Sequence, residues 1–240
     1  MSKGQKTAPH LLKNPDERDF YVAAIFGEKA QGKSTFLAEE IAKPYMEETA
    51  RAGLIRRVLI HDPSLARAFK QFERISLDEL IDGVLHPTTF QRLRWKRGIR
   101  CIGDENDDEE TIKSIVTYFN NGLFISDESN GWMRRSGDCP KWQKDLFTKN
   151  RNLGLDCYFT FHRFEDLHIA LRNHVWEMTV FRTPDFPSGV DWFEKRQFPN
   201  PKGLYDAWRI VESKIHNPKA IIQHFEVIEK SFKPDRKSVV

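Results

Sequence analysis

Residues 27–34 read GEKAQGKS and fit the pattern GxxxxGK[ST] at every position. The apolar run FYVAAIF at 20–26 precedes this stretch and predicts a strand buried on both faces. A helix is predicted from Ser34 onward, with Phe36 and Leu37 on its apolar side. The pattern arises by chance on the order of once in a hundred chains of this length. A strand, this loop and a helix in that order predict a phosphate-binding loop (P-loop).

The chemistry of this loop predicts that it binds a nucleoside triphosphate. Glycines let the chain wrap an anion with backbone N–H groups, and the helix dipole adds positive potential. Lys33 is predicted to contact the β and γ phosphates and act in catalysis, and Ser34 to bind Mg²⁺. ATP and Mg²⁺ are the predicted cofactors, and the predicted nucleotide-binding residues are Gly27, Glu28, Lys29, Ala30, Gln31, Gly32, Lys33, Ser34 and Thr35. The alternative is a glycine-containing turn with an exposed lysine.

A second motif, GLFISDE at 122–128, ends an apolar strand in two carboxylates. Ligands of open parallel sheets bind beyond the carboxyl ends of the strands, where the P-loop also lies. Asp127 is predicted to hold Mg²⁺ through water, and Glu128 to orient and polarise the attacking water. A glutamate after the metal-binding aspartate favours an ATPase over a small-molecule kinase, which gains nothing from activating water. The alternative is a solvated turn.

Further strands and helices alternate along the chain and predict an α/β fold with a central, mainly parallel sheet flanked by helices. Pro44 is predicted to kink or end the first helix. Strands are predicted at RVLIHDPS (57–64), IRCIG (99–103), LDCYFTFH (155–162) and VWEMTVFR (175–182), and helices near 76–85, 111–119, 141–152 and 164–173. We divide the chain into an N-terminal arm (1–18), an ATPase core (19–186) and a C-terminal extension packed on the core (187–240).

Composition excludes several classes of protein. With 39% hydrophobic and 30% charged residues in 240, the chain is typical of a soluble globular protein and unlike a disordered one. A net charge of +3, from 38 basic and 35 acidic residues, is too small to indicate nucleic-acid binding by itself. The three cysteines lack CxxC spacing, which favours neither a disulfide framework nor a zinc site. We expect a cytoplasmic protein without membrane insertion, because no apolar run reaches the length of a membrane span or signal peptide.

The order of these motifs resembles the FtsK/HerA superfamily of DNA-pumping ATPases, especially the genome-packaging ATPases of membrane-containing icosahedral viruses. The resemblance covers about residues 20–185 and rests on GEKAQGKS, VLIHDP ending in Asp62, FISDES, RNLGLDCYFTFHR (151–163) and LRNHVWEMTVFR (171–182). It implies a P-loop NTPase of the ASCE, RecA-like type that translocates or packages double-stranded DNA as a pentameric or hexameric ring of identical subunits. It also implies docking on a capsid or membrane vertex protein, and hence association with the virion.

The resemblance also implies roles for Arg151 and His162. In that family, an arginine before the strand that follows the acidic pair reaches into the neighbouring subunit's ATP, and Arg151 occupies that position. The next strand usually ends in a polar sensor, often glutamine, whereas this chain has His162. Histidine can hydrogen-bond a phosphate or a water, and this departure leaves the detail of coupling open. The alternatives are a surface arginine at a helix C-terminus and a histidine satisfied in the interior.

Two basic clusters are candidates for DNA contact. Arg94, Lys96 and Arg97 interleave with Trp95, and Arg134 with Arg135 lie beside Trp132 in the loop after the acidic pair. Basic side chains on a loop facing the pore of a ring would track phosphates without reading sequence. The alternative for each cluster is a solvated charged face.

The sequence is also compatible with two other functions. One is a phage assembly or export P-loop protein of the zonula occludens toxin type, whose relatives usually carry a membrane anchor. The other is a nucleotide-dependent switch or kinase, which predicts a monomer that requires a second substrate other than nucleic acid.

Overall fold

The computed structural model describes residues 21–51, 57–85, 98–101, 108–214 and 226–229. The strands are β1 (Val22–Phe26), β2 (Arg57–His61), β3 (Glu73–Ile75), β4 (Ile99–Cys101), β5 (Gly122–Ser126), β6 (Leu155–Phe161), β7 (Glu177–Val180) and β8 (Glu226–Glu229). The α-helices are α1 (Lys33–Phe36), α2 (Lys43–Arg51), α3 (Leu77–Leu85), α4 (Asp108–Tyr118), α5 (Lys141–Thr148), α6 (Asn150–Leu153), α7 (Val190–Lys195) and α8 (Pro201–Lys214). Short 3₁₀-helices and one π-helical segment connect some of them.

The strands form one sheet in the order β3-β4-β2-β5-β6-β1-β7-β8. The first seven strands pair in parallel, and β8 pairs antiparallel to β7. The prediction of a mainly parallel sheet flanked by helices is therefore confirmed. Strand β6 lies between β1 and β5. Because these three strands are parallel, their carboxyl ends meet at one edge of the sheet, and the candidate site lies there.

The central strands are apolar along their whole length because both faces of the sheet are covered. Along β1, Val22, Ala24 and Phe26 belong to one hydrophobic cluster, and Ala23 and Ile25 belong to a second. All five residues are fully buried. Successive side chains of a strand point to opposite faces, so the two clusters lie on the two faces of the sheet.

The first helix does not end at Pro44, which was one of the two predicted outcomes. The chain remains helical beyond Pro44, and α2 ends at Arg51. A π-helical segment, Leu37–Ala42, joins α1 to α2 just before the proline. Proline has no N–H to donate, and the wider turns lie where that missing donor interrupts the α-helical bonding pattern.

Two other predicted helices have different forms. The prediction of a helix near 164–173 was wrong in type, because the chain forms two 3₁₀-helices, Phe164–Asp166 and Ile169–His174. The Asp166 carboxylate accepts a hydrogen bond from the Arg163 N–H at 3.0 Å, which favours a short turn over a continuing helix. The predicted helix at 141–152 divides into α5 and α6.

Residues beyond 187 add to the core. Phe193 of α7 and Leu204 and Val211 of α8 are fully buried and belong to the same hydrophobic cluster as Phe26 of β1. The loop residue Phe198 is also buried, and the Arg172 guanidinium lies 4.3 Å from the centre of its ring. Among the residues described above, no helix is both long and apolar enough to cross a bilayer.

Candidate active site

The P-loop is anchored to the two strands that flank β1. The Gly27 N–H donates to the Phe161 carbonyl at 3.0 Å, and the Glu28 N–H donates to the Arg182 carbonyl at 2.7 Å. A Cβ added at Gly27 would lie 2.6 Å from Cβ of Phe181, a separation that side chains do not tolerate. The first glycine of the motif is therefore required by packing.

The loop turns into helix α1 at its second glycine. Gly32 has φ of 90°, in the left-handed region that glycine adopts without strain. Its carbonyl accepts a hydrogen bond from the Phe36 N–H at 2.9 Å, which closes the first helical turn. Ala30 also has a positive φ of 62°, which is uncommon for a residue with a side chain. This backbone leaves the amino end of the helix facing the loop, where an anion is favoured.

Lys33 is held inside the loop rather than exposed to solvent. Its side chain is buried, and Nζ donates to the carbonyls of Gly27 at 2.6 Å and Glu28 at 2.8 Å. Burial lowers the pKa of Lys33, whereas Asp127 and Glu128 act in the opposite direction. The two carbonyls fix the amine over the cradle that a phosphate would fill, and the alternative of an exposed lysine in a simple turn does not fit this geometry.

Ser34 and Asp127 meet across the carboxyl ends of the strands. The Ser34 hydroxyl donates to Asp127 Oδ2 at 2.7 Å, and the Asp127 side chain is buried. A hydroxyl beside a carboxylate is a set of hard oxygen donors that suits Mg²⁺, which is usually bound by one or two protein groups together with substrate phosphates and waters. The donors present therefore fit Mg²⁺ at the predicted position. Within the described part of the chain, no group of three or more His, Cys, Asp or Glu residues could hold a metal by itself.

Glu128 stands next to Asp127 in an unusual backbone conformation. Its φ of 53° and ψ of 46° lie in the left-handed region, which a residue with a side chain seldom adopts. Such conformations cost energy and persist where the surroundings hold them in place. The Glu128 carboxylate lies 4.0 Å from Nζ of Lys29, and its side chain is 30% exposed. The acid is thus partly open to solvent at the mouth of the P-loop.

Thr160 is a site residue that the sequence did not predict. Its hydroxyl donates to Asp127 Oδ1 at 2.7 Å and accepts the Glu128 N–H at 2.8 Å. The residue lies in β6, two positions before His162, inside an apolar run that predicted only a buried strand. The available signal was its position near the carboxyl end of a strand that neighbours the acidic pair.

The side chains converge on a cavity of about 380 Å³. Its lining residues are Lys29, Ala30, Gln31, Gly32, Lys33, Ser34, Thr35, Ser64, Ala66, Arg67, Ala68, Asp127, Glu128 and His162. The structure thus brings together the P-loop, the acidic pair and the predicted sensor. Burial lowers the pKa of His162 and the nearby Lys33 lowers it further, whereas Glu128 and Asp166 act in the opposite direction.

Arg67 is a second lining residue that the sequence did not predict. It begins a 3₁₀-helix in the loop after β2, and its side chain is exposed. The buried Asp62 shapes this loop by accepting the Ala66 N–H at 2.9 Å. The only sequence signal was a basic residue soon after the carboxyl end of a strand.

The predicted Arg151 and the basic loop lie beside this centre. Arg151 falls in α6, immediately before β6, but its side chain lies outside the described residues. In the loop after the acidic pair, both Arg134 and Arg135 are exposed, and the Arg135 guanidinium lies 3.0 Å from the fully buried carboxylate of Asp166. Arg94, Lys96 and Arg97 lie outside the described residues.

Comparisons with known proteins show the fold. No protein-family model and no curated protein matches the sequence. A similar solved structure is the genome packaging NTPase B204 from Sulfolobus turreted icosahedral virus 2 in complex with sulfate, with a TM-score of 0.62 and 14% identity over 90% of this chain and 92% of B204. The chain has the P-loop NTPase fold.

Two further B204 structures have the same P-loop NTPase fold. The complex of that B204 with ATP-gammaS has a TM-score of 0.59 and 16% identity, over 90% of this chain and 94% of that chain. B204 described as the DNA-packaging ATPase from Sulfolobus Turreted Icosahedral Virus has a TM-score of 0.54 and 15% identity, over 87% of this chain and 92% of that chain. At these identities the similarity establishes the architecture, which agrees with the resemblance drawn from the sequence motifs.

Proposed function

We propose that the chain is an ATP-hydrolysing motor subunit that translocates double-stranded DNA, in the manner of a viral genome-packaging ATPase. The observation that carries this proposal is the convergence of Lys33, Ser34 and the acidic pair on one cavity at the carboxyl ends of β1 and β5. A nucleotide-dependent kinase needs no residue in the position of Glu128, which borders the cavity one residue beyond the candidate Mg²⁺ ligand.

Each group in the cavity has a role in this proposal. Backbone N–H groups of the P-loop and Lys33 bind the β and γ phosphates and stabilise the charge that develops on them. Ser34 and Asp127 would hold Mg²⁺, which supplies a positive charge that neutralises the phosphate oxygens. Glu128 orients the hydrolytic water and accepts its proton. His162 would hydrogen-bond the γ-phosphate or the water.

The coupling to DNA rests on separate support. The B204 chain with the same fold is described as a DNA-packaging ATPase, and the loop after the acidic pair carries an exposed Arg134. We propose that the active form is a pentameric or hexameric ring with this loop toward the DNA. We also propose that the ring docks on a capsid or membrane vertex protein and so associates with the virion.

Duplex DNA is expected to stimulate ATP turnover, and Arg134→Ala is expected to weaken that stimulation. Removing one phosphate contact should lower the slope of log affinity against log salt concentration by about 0.9, because one fewer counterion is released. DNA binding and DNA-stimulated turnover, each measured over a range of salt, test this. Lys202→Ala, an exposed basic residue on α8, is the matched control. An ATP turnover rate that is the same with and without duplex DNA would count against translocation.

Arg151→Ala is expected to lower turnover by about 100-fold, because a guanidinium in the neighbouring subunit's site stabilises charge on the transferring phosphoryl group. The test is to mix the Arg151→Ala and Lys33→Ala variants and to measure ATP turnover of the mixture. Arg151→Ala subunits retain Lys33, and Lys33→Ala subunits retain Arg151, so a mixed ring contains sites with both groups and should recover turnover. Recovery only in the mixture indicates action between subunits. If Arg151→Ala alone turns over at the native rate, the arginine has no such role.

A further inference from the structure

Thr160 is buried at the point where β6 passes the two acids of the site. Its relative exposure is 0%, and its hydroxyl contacts both Asp127 and Glu128. The parallel pairing of β5 with β6 sets this contact, because Ser126 lies opposite Phe159 and the next residues of the two strands are the first acid and the threonine. The Thr160 hydroxyl therefore makes hydrogen bonds with the Asp127 side chain and with the Glu128 backbone N–H.

The hydrogen-bonding capacity of a hydroxyl fixes the direction of these bonds. A threonine hydroxyl has one proton to donate and can accept at its lone pairs. The Glu128 amide can only donate, so the Thr160 hydroxyl accepts its hydrogen bond at 2.8 Å. The same hydroxyl donates its own hydrogen bond to Asp127 Oδ1 at 2.7 Å. Asp127 Oδ2 accepts a hydrogen bond from the Ser34 hydroxyl at 2.7 Å. Thr160 thus helps to fix the orientation of the Asp127 carboxylate, with one oxygen toward Thr160 and the other toward Ser34 of the P-loop.

The second bond bears on the backbone of Glu128. That residue has φ of 53°, and its amide is held by the Thr160 hydroxyl. A strained conformation needs such a restraint, and the backbone angle determines where the side chain leaves the chain. The amide also donates to Asp127 Oδ1 at 3.2 Å, so loss of the hydroxyl would leave it with this longer bond alone. We expect the backbone of Glu128 to loosen and the carboxylate to turn away from the cavity.

We propose that Thr160 is a positioning residue that aims Asp127 toward the Mg²⁺ position and Glu128 toward the hydrolytic water, an inference that rests on the proposed ATPase activity. It acts through the two acids and touches neither nucleotide nor metal. Because the P-loop itself is unaffected, the threonine governs turnover and the Mg²⁺ requirement rather than nucleotide binding at saturating Mg²⁺.

The test compares Thr160→Val, which keeps the shape and removes the hydroxyl, with Thr160→Ser, which keeps the hydroxyl. For Thr160→Val we expect kcat to fall, and the Mg²⁺ concentration for half-maximal ATP-γS binding to rise, each by about 10- to 100-fold, as for other residues that orient metal ligands. Affinity for ATP-γS at saturating Mg²⁺ should stay within about threefold of native. Thr160→Ser should restore both quantities.

Controls separate positioning from folding. Thr179→Val removes another fully buried strand hydroxyl, whose contact is with Glu177 rather than with the acids, and should leave the Mg²⁺ requirement unchanged. Thermal unfolding is measured for every variant, and Thr160→Ala serves if the valine variant does not fold. An unchanged kcat and Mg²⁺ requirement in Thr160→Val overturns the inference, and so does a serine variant as impaired as the valine variant.

The outcome for Thr160 is distinguishable from the outcome for the proposed function. If the native chain binds ATP-γS but never hydrolyses ATP, the proposed activity is wrong. The Mg²⁺ requirement for binding still decides the role of Thr160 in that case, because the comparison of valine with serine does not depend on turnover.

Discussion

Lys33→Ala is expected to abolish ATP turnover, lowering it by about a thousandfold or more, and to weaken nucleotide binding strongly. The physical reason is the loss of the one ammonium that the Gly27 and Glu28 carbonyls hold inside the P-loop. A buried positive charge close to the β and γ phosphates stabilises the bound triphosphate and the charge that develops during transfer. An exposed charge elsewhere cannot replace it, because water and salt screen it.

Binding of a fluorescent ATP analogue and release of phosphate, each measured for the native chain and the variant, check this prediction. Lys70→Ala is the matched control, since it removes an exposed lysine distant from the P-loop in sequence. Lys33→Met retains the apolar stem of the side chain and serves if truncation to alanine perturbs folding. Native binding and turnover in Lys33→Ala would remove the basis of the proposed function.

Glu128→Gln is expected to lower turnover by about a thousandfold while nucleotide binding persists. The amide keeps the shape of the side chain but cannot accept the proton of the attacking water, and general bases typically contribute 10²- to 10⁴-fold. The contacts that would hold the triphosphate come from Lys33, Ser34 and the loop backbone, which this substitution leaves intact. Binding and turnover should therefore separate, unlike in Lys33→Ala.

The measurement for Glu128→Gln is ATP turnover with and without duplex DNA, beside equilibrium binding of ATP-γS. Glu194→Gln, an exposed acid on α7, is the control for loss of one negative charge. DNA stimulation should vanish in Glu128→Gln and persist in Glu194→Gln. A variant that loses binding in proportion to turnover would mean that Glu128 supports the structure of the cavity instead of preparing the water.

The parts predicted correctly from sequence were those in which one short segment specifies its own geometry. GEKAQGKS contains its glycines, lysine and serine within eight positions, so the loop, the start of the helix and the place of Lys33 could be read together. The central strands were equally clear, because a strand covered on both faces is apolar throughout. The acidic pair followed from its place at the end of such a strand.

The features missed depend on contacts between distant segments. Thr160 reads as one more residue of a buried strand, and only the pairing of β6 with β5 reveals its two bonds to the acids. Arg67 could not be assigned because the turn that brings it to the cavity is shaped by the buried Asp62. Sequence alone could not show that the helix continues past Pro44, because a π-helical segment accommodates the proline.

The basic loop shows a similar limit. Arg134 and Arg135 are adjacent and look equivalent in sequence, yet the second pairs with Asp166 at 3.0 Å. Both side chains are exposed, and only the folded chain shows that Arg135 is also paired with the segment after β6. Their contributions to DNA binding should therefore differ.

The antiparallel strand β8 completes the sheet beside β7, with Met178 opposite Ile228 and Val180 opposite Glu226. An edge strand left uncovered offers a row of open backbone donors and acceptors to any other extended chain, and such edges promote aggregation. By occupying the side of β7 away from β1, β8 pairs with the backbone groups of β7 that another extended chain would otherwise bind. Within the described residues, the edge strand on this side of the sheet is therefore β8, an antiparallel segment of four residues from late in the polypeptide.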